Sequence, residues 1–255
     1  MTDRPVVLLT GASRGIGAAA ARQLLSRGCN VAIVARSPKG LEAVTAEAAR
    51  AERVLSLAGD VARASDCRRM IDDTVARFGR LDALINNAGI LGPVARLADA
   101  APDAWHYNLA VNLMGPFYLA QAAIPHLRST RGRIVNVCSG AALKAIEGWS
   151  AYCVAKAGLI HLTRLLAAEE PDITTVALRP GVVDTGMQTL IRKEGPDVMT
   201  PARITHFKQL KEEGQLLDPA VPAEKMTWLA LKAPPALSGM FLDYNDPRIG
   251  DADES

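Results

Sequence analysis

The chain has 255 residues, 49% hydrophobic and 22% charged, with a formal net charge of +2. That apolar content supports a sizeable core and excludes general disorder, and the charge is too small to argue for a nucleic-acid or anionic-membrane partner. No Lys/Arg cluster is interleaved with aromatic residues as a nucleic-acid platform needs, and no apolar run reaches membrane-spanning length.

The opening "MTDRPVVLLTG" enters a strand almost at once, with no room for a signal peptide. Cys29, Cys67, Cys138 and Cys153 are scattered without a C-x-x-C pair, which implies reduced thiols and a cytoplasmic protein. His106, His126, His161 and His206 lack metal-ligand spacing, so no metal is expected.

"VVLLT" (Val6 to Thr10) reads as a buried strand, and Gly15 to Arg27 as a helix of small and apolar residues. "NVAIVA" is the second strand. Ser37-Pro38 then resembles an N-cap with proline at the first helical position, opening a helix to about Arg50. "RVLSLAGD" is the third strand, followed by a helix from Ser65 to Phe78 that Gly79 stops. "LDALINNAG" is the fourth strand, and a single long helix is expected from about Asp103 to Arg128. "GRIVNVCSG" is the fifth, Ser150 to Ala168 a helix, and "ITTVALRPG" the sixth. Gly186 to Pro222 breaks the rhythm and reads as a lid or binding excursion with one short helix near Arg203–Glu213. "GMFLD" is the final strand, and "DADES" a frayed tail.

Alternating β and α units imply a parallel sheet covered on both faces, and right-handed crossovers make it a Rossmann-type doubly wound sheet of about seven strands. No linker or internal repeat divides the chain, so residues 1–255 read as one domain.

"TGASRGIG" (Thr10 to Gly17) joins the first strand to the first helix. Glycines there let backbone approach a pyrophosphate, and the helix N-terminus offers free N–H groups. The spacing is G-x-x-x-G-x-G rather than G-x-G-x-x-G. The second strand ends "VARS", so Ala35 stands near the acid that would hold a ribose 2′-hydroxyl, with Arg36 and Ser37 beside it. Arg14 adds a second guanidinium. Two arginines near one phosphate make a charge-assisted clamp, which favours NADP(H) over NAD(H). Tyr152 and Lys156 lie one helical turn apart on one face. A nearby ammonium favours phenolate and would lower the tyrosine pKa.

These motifs together resemble the short-chain dehydrogenase/reductase family of compact, single-domain type. They run in order: Thr10-Gly11-x-x-x-Gly15-x-Gly17, Asp60-Val61, Asn86-Asn87-Ala88-Gly89, Asn112, Ser139, Tyr152-x-x-x-Lys156 and Pro180-Gly181-x-Val183-x-Thr185. More narrowly, "GWSAYCVAKAGL", "PGVVDTGMQTLIRKEG" and "LSGMFLDYNDPRI" resemble the fungal benzil-reductase branch and its sepiapterin-reductase relatives.

The resemblance implies an NADPH-dependent carbonyl reductase. Tyr152 would be the general acid, and Lys156 would lower its pKa and hold the nicotinamide ribose. Ser139 would donate a hydrogen bond to the same carbonyl oxygen, and Asn112 would help relay protons through a water. Gly11, Ser13, Arg14, Gly15, Ile16 and Gly17 would cradle the pyrophosphate, and Arg36 and Ser37 would face the 2′-phosphate. Asp60 and Val61 would contact adenine, Asn87, Ala88 and Gly89 would line the cofactor, and Pro180, Gly181, Val183 and Thr185 would face the nicotinamide. The substrate pocket would include Leu143, Trp149, Met187 and Leu190, an apolar set suited to a bulky ketone or α-diketone. Glu147, Arg179 and Asp243 read as ordinary surface or strand-end charges. Cys138 reads as core, and Cys153 points away from the catalytic face. Partners would be a small carbonyl or alcohol and further copies of the chain, as the long helices before Ser139 and after Ser150 resemble the family's oligomer interface. The same fold also serves non-catalytic NADP(H)-binding regulators, but those lose the Asn-Ser-Tyr-Lys set.

Overall fold

The apolar β-branched runs form strands of one parallel sheet in the computed structural model, which describes residues 4–47 and 50–250. The strands are β1 (Val6–Thr10), β2 (Asn30–Ala35), β3 (Val54–Ala58), β4 (Ala83–Asn86), β5 (Arg133–Val137), β6 (Thr174–Arg179) and β7 (Phe241–Asp243). Their order is β3-β2-β1-β4-β5-β6-β7, with Leu8 of β1 opposite Ala32 on one side and Leu84 on the other. The order reverses between β1 and β4, which opens a crevice beyond the carboxyl ends of the strands.

The helices are α1 (Gly15–Ser26), α2 (Lys39–Ala46), α3 (Ala64–Phe78), α4 (Pro102–Leu109), α5 (Gly115–Thr130), α6 (Ser150–Glu169), α7 (Gly186–Glu194), α8 (Pro201–Glu212) and α9 (Ala220–Lys232). Successive strand residues face opposite sides. Val7, Leu9, Val31 and Ile33 therefore pack with Leu24 of α1, Leu41 of α2 and Met226 of α9. Val6, Leu8, Ala32 and Val34 pack with Met70 and Ile71 of α3 and with Leu119 and Leu127 of α5. Both faces are covered, which is why the strands are apolar throughout rather than alternating. Each such buried Val, Leu, Ile or Met side chain contributes about 1.5–3 kcal/mol.

Several boundaries differ from the sequence reading. Ser37 does not cap α2 with its side chain: Pro38 stands at the cap and the Ser37 carbonyl accepts from Gly40. The helix ends at Ala46, and Arg50 is already extended, while positions 48 and 49 lie outside the described residues. The long helix expected over 103–128 is divided into α4 and α5 by a π turn, Ala110–Met114, closed by the Gly115 N–H donating to the Ala110 carbonyl. Pro116 supplies a reason, since it has no N–H for the carbonyl four residues back. The excursion holds two helices, α7 and α8, rather than one, and it ends before Pro222, which sits in the first turn of α9 where proline costs nothing. The last strand starts at Phe241, because Gly239 is in a left-handed turn (φ +81°). The "DADES" tail lies outside the described residues.

Candidate active site

The glycine-rich loop leaves β1 and turns into α1. Gly11 and Gly15 have φ of +69° and +56°, which side chains rarely adopt. A Cβ on Gly17 would stand 2.2 Å from the Gly11 carbonyl oxygen, so glycine is required by close approach as well. Asn87, following β4, fastens this loop: its Nδ2 donates to the carbonyls of Thr10 (2.9 Å) and Gly11 (3.2 Å). The first turn of α1 has no side-chain cap and no acidic residue, so its N–H groups face the crevice free to meet an anion.

The crevice is a cavity of about 700 Å³, within the range of cofactor sites. It runs from Arg36 and Asp60 at one end, past the glycine loop and Gly89, to Tyr152, Met187 and Leu190 at the other. Length, glycine cradle and uncapped helix fit a dinucleotide. Of the expected cofactor contacts, Gly11, Ser13, Arg14, Gly15, Ile16, Gly17, Arg36, Asp60, Val61, Asn87, Ala88, Gly89, Pro180 and Thr185 line it. Ser37, Gly181 and Val183 do not. Ser37 is exposed. Gly181 is glycine because its φ of +81° lies in the left-handed region that side chains rarely adopt. Val183 is buried in a bridge to Leu217. The Arg14 guanidinium lies against Gly186 at the start of α7.

At the inner end, α6 presents Tyr152 and Lys156, 6% and 4% exposed. Ser139, two residues beyond β5, lies near the Tyr152 phenol, and its Oγ accepts from the Ala141 N–H at 3.2 Å. Lys156 Nζ donates to the Val137 carbonyl at 2.8 Å and stands 5.7 Å from the centre of the Tyr152 ring. Burial pushes the Tyr152 phenol well above its ordinary value, with the nearby Ser139 hydroxyl opposing in part. This corrects the expectation that Lys156 lowers it: desolvation dominates, and it also lowers the Lys156 ammonium. Tyr152 thus stands buried at the cavity floor with the Lys156 ammonium beside its ring.

Asn112 sits in the π turn, fully buried. Its Oδ1 accepts from the Ile90 N–H (3.2 Å) and its Nδ2 donates to the Ile90 carbonyl (2.8 Å). A Cβ on Gly89 would meet Asn112 Oδ1 at 2.9 Å and Lys156 Nζ at 3.8 Å, so both groups converge on Gly89. A π turn inside an α-helix is frequent at functional sites.

The substrate end is lined by Leu91, Met187 and Leu190. Leu143 and Trp149 are not part of it. Leu143 is 69% exposed. Trp149 is buried behind Tyr152, edge-on at 6.0 Å, and is backed by Phe207 of α8 at 5.7 Å. The aromatic thus supports the phenol rather than touching the cavity. Glu147 pairs with Arg203 (2.7 Å), Asp184 with Lys211 (2.7 Å) and Arg179 with Asp243 (3.2 Å). Cys138 is buried, its Sγ donating to the Lys156 carbonyl, and burial raises its thiol pKa.

Three residues were not singled out from the sequence: Tyr107, Asn108 and Phe207. Tyr107 donates to Asp60 Oδ2 at 2.9 Å. Asn108 Nδ2 reaches the Leu91 and Gly92 carbonyls at 3.0 and 2.7 Å, and its Oδ1 accepts from Asn112. The four-residue step from Asn108 to Asn112 was the available signal.

The chain matches the short chain dehydrogenase family over residues 5–195, and it belongs to that family. It is 38% identical to an uncharacterised oxidoreductase of Schizosaccharomyces pombe over 244 residues, 95% of this chain and 97% of that one. It is 37% identical to a benzil reductase ((S)-benzoin forming) of Saccharomyces cerevisiae over 257 residues, 96% and 97% of the two chains. A short-chain dehydrogenase/reductase crystal structure from Saccharomyces cerevisiae superposes with a TM-score of 0.92 at 36% identity, covering 96% of this chain and 98% of that one. The protein is therefore an oxidoreductase of a family that uses NAD(P)(H).

Proposed function

We propose that this protein is an NADPH-dependent carbonyl reductase that converts a ketone or α-diketone to the alcohol, with Tyr152 as proton donor. The observation that carries the reading is the buried Tyr152 phenol, beside Ser139 and Lys156, at the floor of a cavity that a glycine cradle and Arg36 extend. The nicotinamide coenzyme, when bound, supplies the hydride that reduces the carbonyl carbon. The chain's own residues manage the oxygen. The Tyr152 O–H bond breaks and its proton goes to the carbonyl oxygen. The Ser139 hydroxyl donates to the same oxygen and stabilises developing alkoxide charge. Lys156, held by the Val137 carbonyl, places a positive charge beside the phenolate left behind. Asn112 fixes the Ile90 backbone that bounds this site, from which it would help return a proton.

Ala35 where an acid would otherwise stand, with Arg36 next to it, supports a coenzyme carrying a 2′-phosphate. Arg14 supports it from the glycine loop. The apolar Leu91, Met187 and Leu190 support a bulky carbonyl, as does the benzil reductase likeness. Phe117, Val154 and Leu165 are exposed apolar side chains on α5 and α6, and they support assembly into homo-oligomers through these helices.

The test is coenzyme consumption with benzil, an aryl 1,2-diketone, sepiapterin, a simple aldehyde and a steroid ketone, using NADPH and NADH in parallel. NADPH-selective turnover of a diketone is the expected result. Coenzyme binding with no turnover of any carbonyl would replace the enzyme reading with a regulatory one.

A further inference from the structure

We propose that Tyr107 sets the coenzyme preference by keeping the Asp60 carboxylate off the Arg36 guanidinium. This rests on the reading that Arg36 receives a 2′-phosphate.

Arg36 follows β2 and Asp60 follows β3, and these strands are neighbours, with Ala35 in register with Ala58. The sheet therefore delivers a guanidinium and a carboxylate to adjacent points on one edge of the cavity. Left alone, the two have an obvious partner in each other, since arginine and carboxylate form strong forked pairs. Such a pair would consume the charge that a phosphate needs.

The structure holds them otherwise. The Tyr107 hydroxyl stands between them, donating to Asp60 Oδ2 at 2.9 Å and lying 3.5 Å from Arg36 Nη1. The other Asp60 oxygen accepts from the Ala62 N–H at 3.0 Å, and the Asp60 N–H donates to Asp66 Oδ2 at 2.8 Å. Asp60 is thus secured at both carboxylate oxygens and at its backbone. Tyr107 itself is placed by α4, whose next residue, Asn108, is tied to the Leu91 and Gly92 carbonyls. Arg36 remains exposed, with no carboxylate partner among the described residues.

Removing the hydroxyl frees Asp60 Oδ2 to turn toward Arg36. A 2′-phosphate must then compete with Asp60, whereas a plain 2′-hydroxyl has nothing to compete for. Tyr107 acts through Asp60 and Arg36 and is a positioning residue.

The experiment measures dissociation constants of NADPH and NADH by fluorescence titration at fixed salt. The proteins are the unsubstituted chain, Tyr107→Phe, Arg36→Ala and the double variant Tyr107→Phe/Asp60→Asn. Loss of a hydrogen bond to a charged group corresponds to about a tenfold effect. Tyr107→Phe is expected to weaken NADPH about tenfold and NADH by less than about twofold. The double variant should recover the NADPH-to-NADH ratio, because no carboxylate is left to capture Arg36. Weakening of both coenzymes alike would mean a purely structural tyrosine and overturn the proposal. An unchanged ratio in Tyr107→Phe, with NADPH preferred by the unsubstituted chain and lost in Arg36→Ala, would overturn the Tyr107 role and leave the coenzyme reading intact. NADH preference in the unsubstituted chain would overturn both.

Discussion

Burial decides what Tyr152 does. With its phenol pushed above the ordinary value of 10.0, the group stays protonated across neutral pH. The proton-bearing form is the one that reduction uses, so a raised pKa extends the active range upward. The rate of carbonyl reduction should show no phenol ionisation below about pH 10, measured as kcat against pH with saturating coenzyme. A fall near neutrality that Tyr152→Phe abolishes would contradict this. Tyr152→Phe itself should lower kcat by about 10²- to 10⁴-fold while coenzyme binding, followed by fluorescence, persists. Asn112 works differently, through the backbone it holds. Its side chain bonds Ile90 twice and Asn108 besides, in full burial. Asn112→Ala should cost about 2–3 kcal/mol and lower the melting temperature by roughly 5–10 °C, read by circular dichroism.

At the level of elements, the site depends on what each turn permits. Gly17→Ala would drive a Cβ into the Gly11 carbonyl, which is backbone and cannot swing away. It should abolish coenzyme binding in a titration, whereas the same change at Gly214, where nothing lies within 4 Å, strains only its own left-handed backbone and should leave binding in place. Helix α8 reaches the chemistry through Phe207 and Trp149. Phe207→Ala should reduce kcat/KM for a bulky ketone about tenfold with coenzyme affinity unchanged, since it unseats an aromatic contact behind Tyr152. Such relays explain what the sequence displayed and what it hid. The glycine loop and the Tyr152–Lys156 step are local, set by neighbours within a few residues, and both were legible. The Tyr107–Asp60 bond joins positions 47 apart, and no short pattern announces it. The π turn was invisible because its residues are as helical in composition as those around it. Helix α7 was missed because "GMQTLIRKE" opens with glycine and carries few apolar residues. Trp149 was assigned to the pocket from its place beside the site, but a large aromatic near a cavity can equally stand behind its wall.

On the scale of the whole molecule, the alternation of strand and helix pointed to a parallel, doubly wound sheet, because right-handed crossovers leave few alternatives, while the strand order itself is a finding of the structure. What it left open is which helix faces stay uncovered. Val154 and Leu165 of α6 are about half exposed, at 50% and 45%. If these faces join copies of the chain, Leu165→Glu should shift the species seen by light scattering toward the monomer, with an unchanged far-ultraviolet spectrum.

Helix α7 borders the cavity, and α8, packed against α7, is fastened to its surroundings by Arg203 on Glu147 and Lys211 on Asp184. Ion pairs this open to water are weak and screened by dissolved salt. They behave as magnets on a cupboard door rather than as a bolt. The door settles into one place, and dissolved salt should loosen it while leaving the apolar seat of Phe207 on Trp149 intact.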